Sequence, residues 1–339
     1  MKTTKLQVGV IGLGVGEKHV EAFQSHPACT VVKACDLDEG KLAAFSAKHP
    51  GIGLCRDDEE ILTDPEVDVV SVASFDDHHY DQVAEAIRHG KHVMVEKPVC
   101  LYRDEAVEIK RLLKANPSIR LSSNLNLRTA PRFRRLREAV RSGELGRIFH
   151  MEGDYLWGRV RKLTEGWRGE MEFYSIIYGA SVHMIDLLMW VAVMRPVEVQ
   201  GVGNSIATRA SGFRFNDFAA VLMRSEDGLT AKVCGCGGCV HPHFHRVAVF
   251  GTEGTFLHET SGAKMYRQGE AGPVETEITD PYPAPERKGE VITSFVDSIL
   301  EPMRHRPLVS IEDVFAVMSV CFAAEEAVLK KAPVPVNYI

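Results

Sequence analysis

The chain lacks a basic excess, a membrane-length apolar run and any low-complexity tract, and each absence removes a class of function. Forty Lys and Arg stand against 46 Asp and Glu, a formal net charge of −6. Binding to nucleic acid or to an anionic membrane rests on a cationic surplus that neutralises phosphates, so neither is an expected partner. No apolar stretch reaches the length of a bilayer span, and MKTTKLQVGVIGLG enters a glycine-punctuated strand with no cleavage-site pattern. The expectation is a cytoplasmic protein whose partner is a small molecule. At 339 residues the chain exceeds what one compact core serves, so two domains are expected.

A convincing metal-ligand pattern is also missing. Of the eight cysteines, four lie in or beside strand-like apolar runs, where a cysteine behaves as a small hydrophobe, as in a reduced compartment. The segment CGCGGCVHPHFH, residues 234 to 245, concentrates three cysteines and three histidines. Its C-x-C-x-x-C has no second C-x-x-C or H-x-x-x-H, and its alternation with glycine fits one face of a strand followed by a loop. No metal is expected.

What is present begins with alternation. From Leu6 to about Asn124, valine-rich runs (LQVGVI, TVVKAC, VDVVSVAS, KHVMVE, IRLSS) alternate with helical patterns (EKHVEAF, EGKLAAFSAKH, HYDQVAEAIRHG, DEAVEIKRLLKA). That is the pattern of a doubly wound parallel sheet covered on both faces, a Rossmann domain over residues 1–124. Ligands of such sheets bind beyond the carboxyl ends of the strands. After the first strand, GLGVGEKH supplies Gly12, Gly14 and Gly16, a loop through which backbone can approach a pyrophosphate. It departs from G-x-G-x-x-G, because Glu17 holds the third glycine position. The second strand runs into Asp36, about twenty residues on, where a carboxylate accepts from the adenosine ribose hydroxyls; Asp38 is better placed to cap the next helix. Leu37, rather than an arginine, follows Asp36, and a carboxylate there repels a 2′-phosphate, so NAD is expected over NADP. The run HVMV leads into Glu96, Lys97 and Pro98, where proline restricts the backbone of Lys97 and so directs its side chain.

VGVIGLGVGEKH, ACDLD, ASFDDHHY, GKHVMVEKP, NLNLRTAP, GWRG, VHMID and VFGTEGTF together resemble the Gfo/Idh/MocA oxidoreductase family over nearly the whole chain. The resemblance implies NAD as cofactor, held by Gly12, Gly14, Val15, Gly16, Asp36, Ser74, Phe75, His79, Glu96 and Lys97. It implies Lys97 and His183 as the catalytic acid/base pair. Asn126, Arg128, Tyr155, Trp167 and Arg168 fall at positions that in relatives face the cleft between the domains, and with Asp186 they are the expected substrate contacts. In the family's D-x-G-x-H-x-x-D pattern the first aspartate falls at Gly179 and the glycine at Ser181, so one carboxylate is missing. Tyr178, Tyr174, Asp186 or a water are the candidates to replace it. The bland alternative for His183 is a buried histidine held by a nearby carboxylate in the apolar run YGASVHMIDLLMW.

Residues 125–339 change pattern. RIFHMEGDYLW, VEVQGVG, DFAAVLMR, LTAKVCG, RVAVFG and TFLHE read as strands joined by turn signals EDGL and GTEG. They imply an α+β domain with an open, largely antiparallel sheet and helices on one face, for substrate binding and oligomerisation. The arginines of APRFRRLREAVRSG read as a solvated or cofactor-side face. Relatives commonly associate through the outer face of that sheet, so a homodimer or homotetramer is expected. The function expected is NAD-dependent hydride transfer at a hydroxyl or carbonyl carbon of a sugar, polyol or sugar derivative. The alternatives are a redox-assisted glycoside cleavage that retains NAD, and a non-catalytic NAD-binding sensor or partner subunit.

Overall fold

The computed structural model describes residues 5–339, which divide into two compact units. The first comprises the chain to Asn126 together with Glu286–Phe315, which lie beyond the 1–124 span expected for it. Its six strands are β1 (Leu6–Ile11), β2 (Cys29–Cys35), β3 (Gly53–Cys55), β4 (Val69–Val72), β5 (His92–Val95) and β6 (Leu121–Ser123). All pairings are parallel, in the order β3-β2-β1-β4-β5-β6. The helices between them are α1 (Gly16–Ser25), α2 (Glu39–Lys48), α3 (Glu59–Leu62), α4 (His79–Arg88) and α5 (Arg103–Ala115). Every residue of β4 is buried, because helices cover both faces and leave no solvent side on which a polar alternation could develop. Strand order reverses between β1 and β4, which opens a crevice at their carboxyl ends. The helix Glu290–Leu300 packs beside α1, where His26 Nε2 meets Asp297 Oδ1 at 3.1 Å.

The second unit contains α6 (Pro131–Arg141), β7 (Ile148–Leu156), the short helices α7 (Arg161–Thr164) and α8 (Trp167–Glu170), and α9 (Val182–Ala192). Then follow β8 (Pro196–Asn204), β9 (Phe218–Ser225), β10 (Thr230–Cys236), β11 (Phe244–Gly251), β12 (Gly254–Glu259), β13 (Gly262–Gly269), β14 (Gly272–Ile278) and β15 (Val334–Pro335). They form one nine-stranded sheet, β14-β13-β12-β11-β7-β10-β9-β8-β15, antiparallel except where β7 pairs with β10. Strands β13 and β14 escape a hydrophobic reading because their shared sequence, GAKMYRQGEAGPVETEI, is charged and largely solvent-facing.

Helix α9 lies on the inner face of this sheet, and two glycines admit it. A Cβ at Gly153 of β7 would stand 3.0 Å from the Met184 side chain, and one at Gly235 of β10 would meet Ser181 Oγ and, at 3.2 Å, Ile176 O. Three of the five arginines of α6 are tied to backbone carbonyls, while Arg141 is exposed. Arg132 donates through Nε to Asp280 O at 2.9 Å, Arg134 through Nε to Arg128 O at 3.1 Å, and Arg137 through Nε to Trp190 O at 3.1 Å. Long arginine stems cover apolar surface while their planar heads satisfy carbonyls, so a helix rich in charge can serve packing.

Candidate active site

In the first unit the loops after β1, β2, β4 and β5 hold the cofactor-type residues. Gly12 has φ +87, and a Cβ there would stand 2.6 Å from the Ala73 carbonyl carbon, so this position needs glycine for conformation and for contact with the chain leaving β4. Gly14 faces open space, Gly16 begins α1 and Val15 is exposed between them. The Asp36 carboxylate accepts the Leu13 N–H at 2.8 Å and the Asp38 N–H at 2.9 Å, which fixes it against the glycine loop. A carboxylate has about four acceptor sites, so two backbone bonds leave capacity for ribose hydroxyls. Asp38 caps α2, accepting from Gly40 N at 2.8 Å and Lys41 N at 3.1 Å, as its position implied. Lys41 Nζ stands 3.4 Å from Asp36 Oδ2, a cation that a reading confined to the residue after Asp36 overlooks. The open Gly14 cradle, the helix start at Gly16 and a fixed carboxylate at the end of β2 fit a dinucleotide.

Glu96 is the most constrained of the expected residues. His19 of α1 reaches it through Nε2 at 3.1 Å and binds Ser71 Oγ through Nδ1 at 2.8 Å, while Asn124 donates to Glu96 Oε1 at 2.6 Å. Burial opposes charge on Glu96, but the His19 hydrogen bond, the charges of His19 and Lys97, and Asn124 outweigh it and lower its pKa to about 2. The next residue is Lys97, whose peptide bond to Pro98 is cis. His79 is buried with Nδ1 2.6 Å from Pro98 O and Nε2 3.3 Å from Ser74 O, so it clamps the loop after β4 to the loop after β5. Ser74 Oγ donates to Gln82 at 2.6 Å, and Phe75 is exposed beside it. His19 and Asn124 were not singled out from sequence; histidine in an amphipathic helix carries no signal until the fold brings β4, β5 and β6 beneath it.

In the second unit His183 is the second residue of α9, directly after a π-helical turn over Ile177–Ser181. Such turns insert an extra residue into helical register and re-aim the side chains beside them, so YGASVHMIDLLMW is not one uniform helix. His183 is buried and its ring is edge-on to Tyr155 of β7, centroids 5.9 Å apart. Tyr155 in turn stacks on His245 at 4.4 Å and accepts or donates at 3.0 Å with His243 Nε2. His245 Nδ1 is hydrogen-bonded to Tyr282 Oη, and Tyr282 stands edge-on to His258 at 4.5 Å. The alternation H-P-H-F-H was the visible signal for His243 and His245; their partners Tyr155 and Tyr282 are far away in the chain.

The space at Gly179 has a definite neighbour. A Cβ there would overlap Tyr174 Oη and lie 2.9 Å from Tyr174 Cζ. The buried Tyr174 hydroxyl, one of the groups considered for the missing carboxylate, abuts the glycine. Asp186 points elsewhere, into a buried ion pair with Arg128: Nη2 to Oδ1 is 2.5 Å, and Nε lies 3.1 and 3.0 Å from the two carboxylate oxygens. Arg128 also stands 5.8 Å from the Trp190 ring centroid. Both expected substrate contacts are therefore committed to the interior of this unit. Asn126 opens the 3₁₀ turn Asn126–Thr129. Trp167 and Arg168 open α8, where the Arg168 guanidinium lies over the Trp167 ring at 4.1 Å and the Trp157 ring at 5.4 Å.

Residues 6–124 match the model of an oxidoreductase family with an NAD-binding Rossmann fold, and residues 133–257 match the GFO/IDH/MocA C-terminal domain. The chain belongs to the GFO/IDH/MocA oxidoreductase family. It is 30% identical to a 1,5-anhydro-D-fructose reductase of Ensifer adhaerens over 241 residues, 67% of each chain. It is 24% identical to a myo-inositol 2-dehydrogenase of Thermotoga maritima over 281 residues, 79% of this chain and 80% of that protein. Among solved structures, a scyllo-inositol dehydrogenase of Lactobacillus casei, crystallised with NAD(H) and scyllo-inositol, matches with TM-score 0.81 at 19% identity, covering 98% of this chain and 99% of that one. This GFO/IDH/MocA member is thus an oxidoreductase with an NAD-binding domain, and its parallel sheet and largely antiparallel second sheet are those of its relatives' fold.

Proposed function

We propose that this oxidoreductase moves a hydride between NAD and a hydroxyl-bearing carbon of a sugar, polyol or sugar derivative, with Lys97 and His183 handling the proton. The observation that carries the reading is the clamp on Glu96 by His19 and Asn124, which immobilises the backbone from which Lys97 projects. Positioning of this kind is what an acid/base group needs, because misplacement of a proton donor by an ångström forfeits much of its effect. Bound NAD supplies the hydride acceptor or donor. The Lys97 ammonium donates to the substrate oxygen and favours its ionised form. The His183 imidazole takes the hydroxyl proton as the carbonyl forms, and returns it in the reverse direction. Tyr155, edge-on to His183 and held by His243, sets the orientation of that ring.

The names of the relatives, a reductase of an anhydro-sugar and a dehydrogenase of a cyclic polyol, support a polyhydroxylated substrate. Single-turnover mixing of the NAD⁺-loaded protein with pooled sugars and polyols tests the reading: reduced nicotinamide should form with the native chain and not with Lys97→Met. Turnover retained in Lys97→Met would refute the assignment. Release of a cleaved product without accumulated NADH would instead favour the redox-assisted cleavage. A homodimer or homotetramer joined through the outer sheet face, where Val202 and Leu222 are exposed, and a cytoplasmic location complete the proposal. Sedimentation of Leu222→Glu checks the interface, since a charge there should yield a smaller species.

A further inference from the structure

Residues 157–168 carry four cations, Arg159, Arg161, Lys162 and Arg168, against one carboxylate, Glu165. Alternate side chains of a strand share a face, and along β7 that face carries a graded series. Gly153 lies under Met184 of α9, Tyr155 under His183, and Trp157, which prolongs the strand by donating its N–H to Cys236 O at 2.9 Å, under Arg168. The Arg168 guanidinium is flanked by Trp167 and Trp157, yet its Nε is buried and has no hydrogen-bond partner. A buried donor left unpaired is costly, and native structures keep such groups where something else satisfies them. Arg159 and Lys162 add to the same charge: burial, and then repulsion from Arg159 and Arg168, lower the Lys162 pKa. Among the described residues none of these three cations lies within ion-pair distance of a carboxylate, whereas Arg161, on the same segment, is neutralised by Glu165 at 3.0 Å.

We propose that Arg168, with Arg159 and Lys162, binds an anionic substituent of the substrate, a carboxylate or a phosphate monoester, so that the preferred substrate is an acidic sugar or polyol. The argument rests on the reading of His183 as the group at the reacting carbon. Two strand positions separate Tyr155 from Trp157, a span of about 7 Å, which suits an anion carried at the far side of a sugar ring from the carbon being oxidised. A guanidinium flanked by two indoles is pre-organised for such a group, because the rings hold its planar fork while its Nε has no protein partner.

The test uses the full chain saturated with NAD⁺. Calorimetric titration with inorganic phosphate and with malonate should give salt-sensitive binding, and Arg168→Gln should weaken it by roughly 10- to 100-fold, the loss expected for hydrogen bonds to a charged group. Arg168→Lys, which keeps the charge, should recover part of it and guards against misfolding of the first variant. Preference for phosphate over malonate names the phosphate ester, and the reverse names the carboxylate. Steady-state comparison of a uronate and a sugar phosphate with their neutral parent should then favour one anion, with KM for it raised in Arg168→Gln. Anion binding lost in Arg168→Gln supports the site even if no compound reduces NAD⁺, a result that would sink only the redox reading. Turnover that prefers neutral polyols, or anion affinity unchanged in Arg168→Gln, overturns the site and leaves the redox reading standing.

Discussion

In the first unit the functional residues stand on short loops after parallel strands, and hydrogen bonds from His19, His79 and Asn124 tie neighbouring loops together. In the second unit they stand on one helix and an antiparallel sheet, held by ring contacts around Tyr155 and by the buried Arg128–Asp186 pair. The first arrangement fixes backbone, and through it Lys97. The second fixes side chains by packing, on strands that many substitutions of shape could re-aim. On the proposed function, the contrast gives cofactor seating to the first unit and the choice of substrate to the second, with proton handling divided between Lys97 and His183.

The largest effect that sharpens this contrast should come from Lys97 and His183, the two residues proposed to handle the proton. Lys97→Met should lower hydride transfer by about 10⁴-fold, the upper end of what a positioned acid/base group contributes, with NAD affinity nearly unchanged. His183→Asn should cost about 10²- to 10⁴-fold. Stopped-flow nicotinamide absorbance reads both, and an unchanged rate in His183→Asn would return that histidine to a packing role.

Next in size is the ion pair that the resemblance placed among substrate contacts. Asp186→Ala leaves the Arg128 guanidinium buried and uncompensated, which should cost about 3–5 kcal/mol in urea denaturation. A loss confined to KM, with stability intact, would restore Asp186 to the substrate.

A smaller effect separates the units by acid sensitivity. The Glu96 pKa is held down to about 2 in the folded chain, below the ordinary carboxylate value of 4.5. Its contribution is therefore present above pH 4.5 and lost as the pH falls towards 2. His19→Gln removes the first of the groups lowering it, so the Glu96 pKa should rise and this acid-dependent loss should shrink, as carboxylate NMR titration would record. In the second unit His258 is lowered from 6.5 to about 3 by burial and then by Arg132, whose Nη1 donates to its Nδ1 at 3.2 Å. The unfolded chain takes up that proton more readily, so stability should be full above pH 6.5 and decline as the pH falls towards 3. His258→Gln should flatten part of that decline; an unaltered acid limb would show that His258 is not its source.

The same contrast explains what was legible in the sequence. A turn after a strand is contiguous in the chain, so the glycine loop, Asp36 and the EKP segment announced both the sheet and its cofactor before any contact was known. The distance from Asp36 to Lys41 is likewise local, but it was hidden by attention to the adjacent residue alone. Tyr155 and His243, 88 residues apart, come together through the pairing of β7 with β11, Tyr282 joins through His245 from beyond β14, and no local pattern carries that register. Nor could spacing reveal that Tyr174 abuts Gly179, or that Arg132, Arg134 and Arg137 of α6 donate to backbone carbonyls. The strands β13 and β14 were missed for a simpler reason, since the apolar period of β13 is only Ala263 and Met265 and β14 is exposed along most of its length.

The central claim is hydride transfer from a polyol carbon to NAD, and isotope tracing tests it most directly. The protein would be incubated with NAD⁺ and carbon-deuterated sugars, polyols and sugar acids, and the recovered dinucleotide weighed. The account predicts reduced nicotinamide carrying one deuterium from a polyhydroxylated donor with the native chain, and none with Lys97→Met. Saturated NAD⁺ that gains no deuterium from any of these donors, or equal labelling by Lys97→Met, would contradict it.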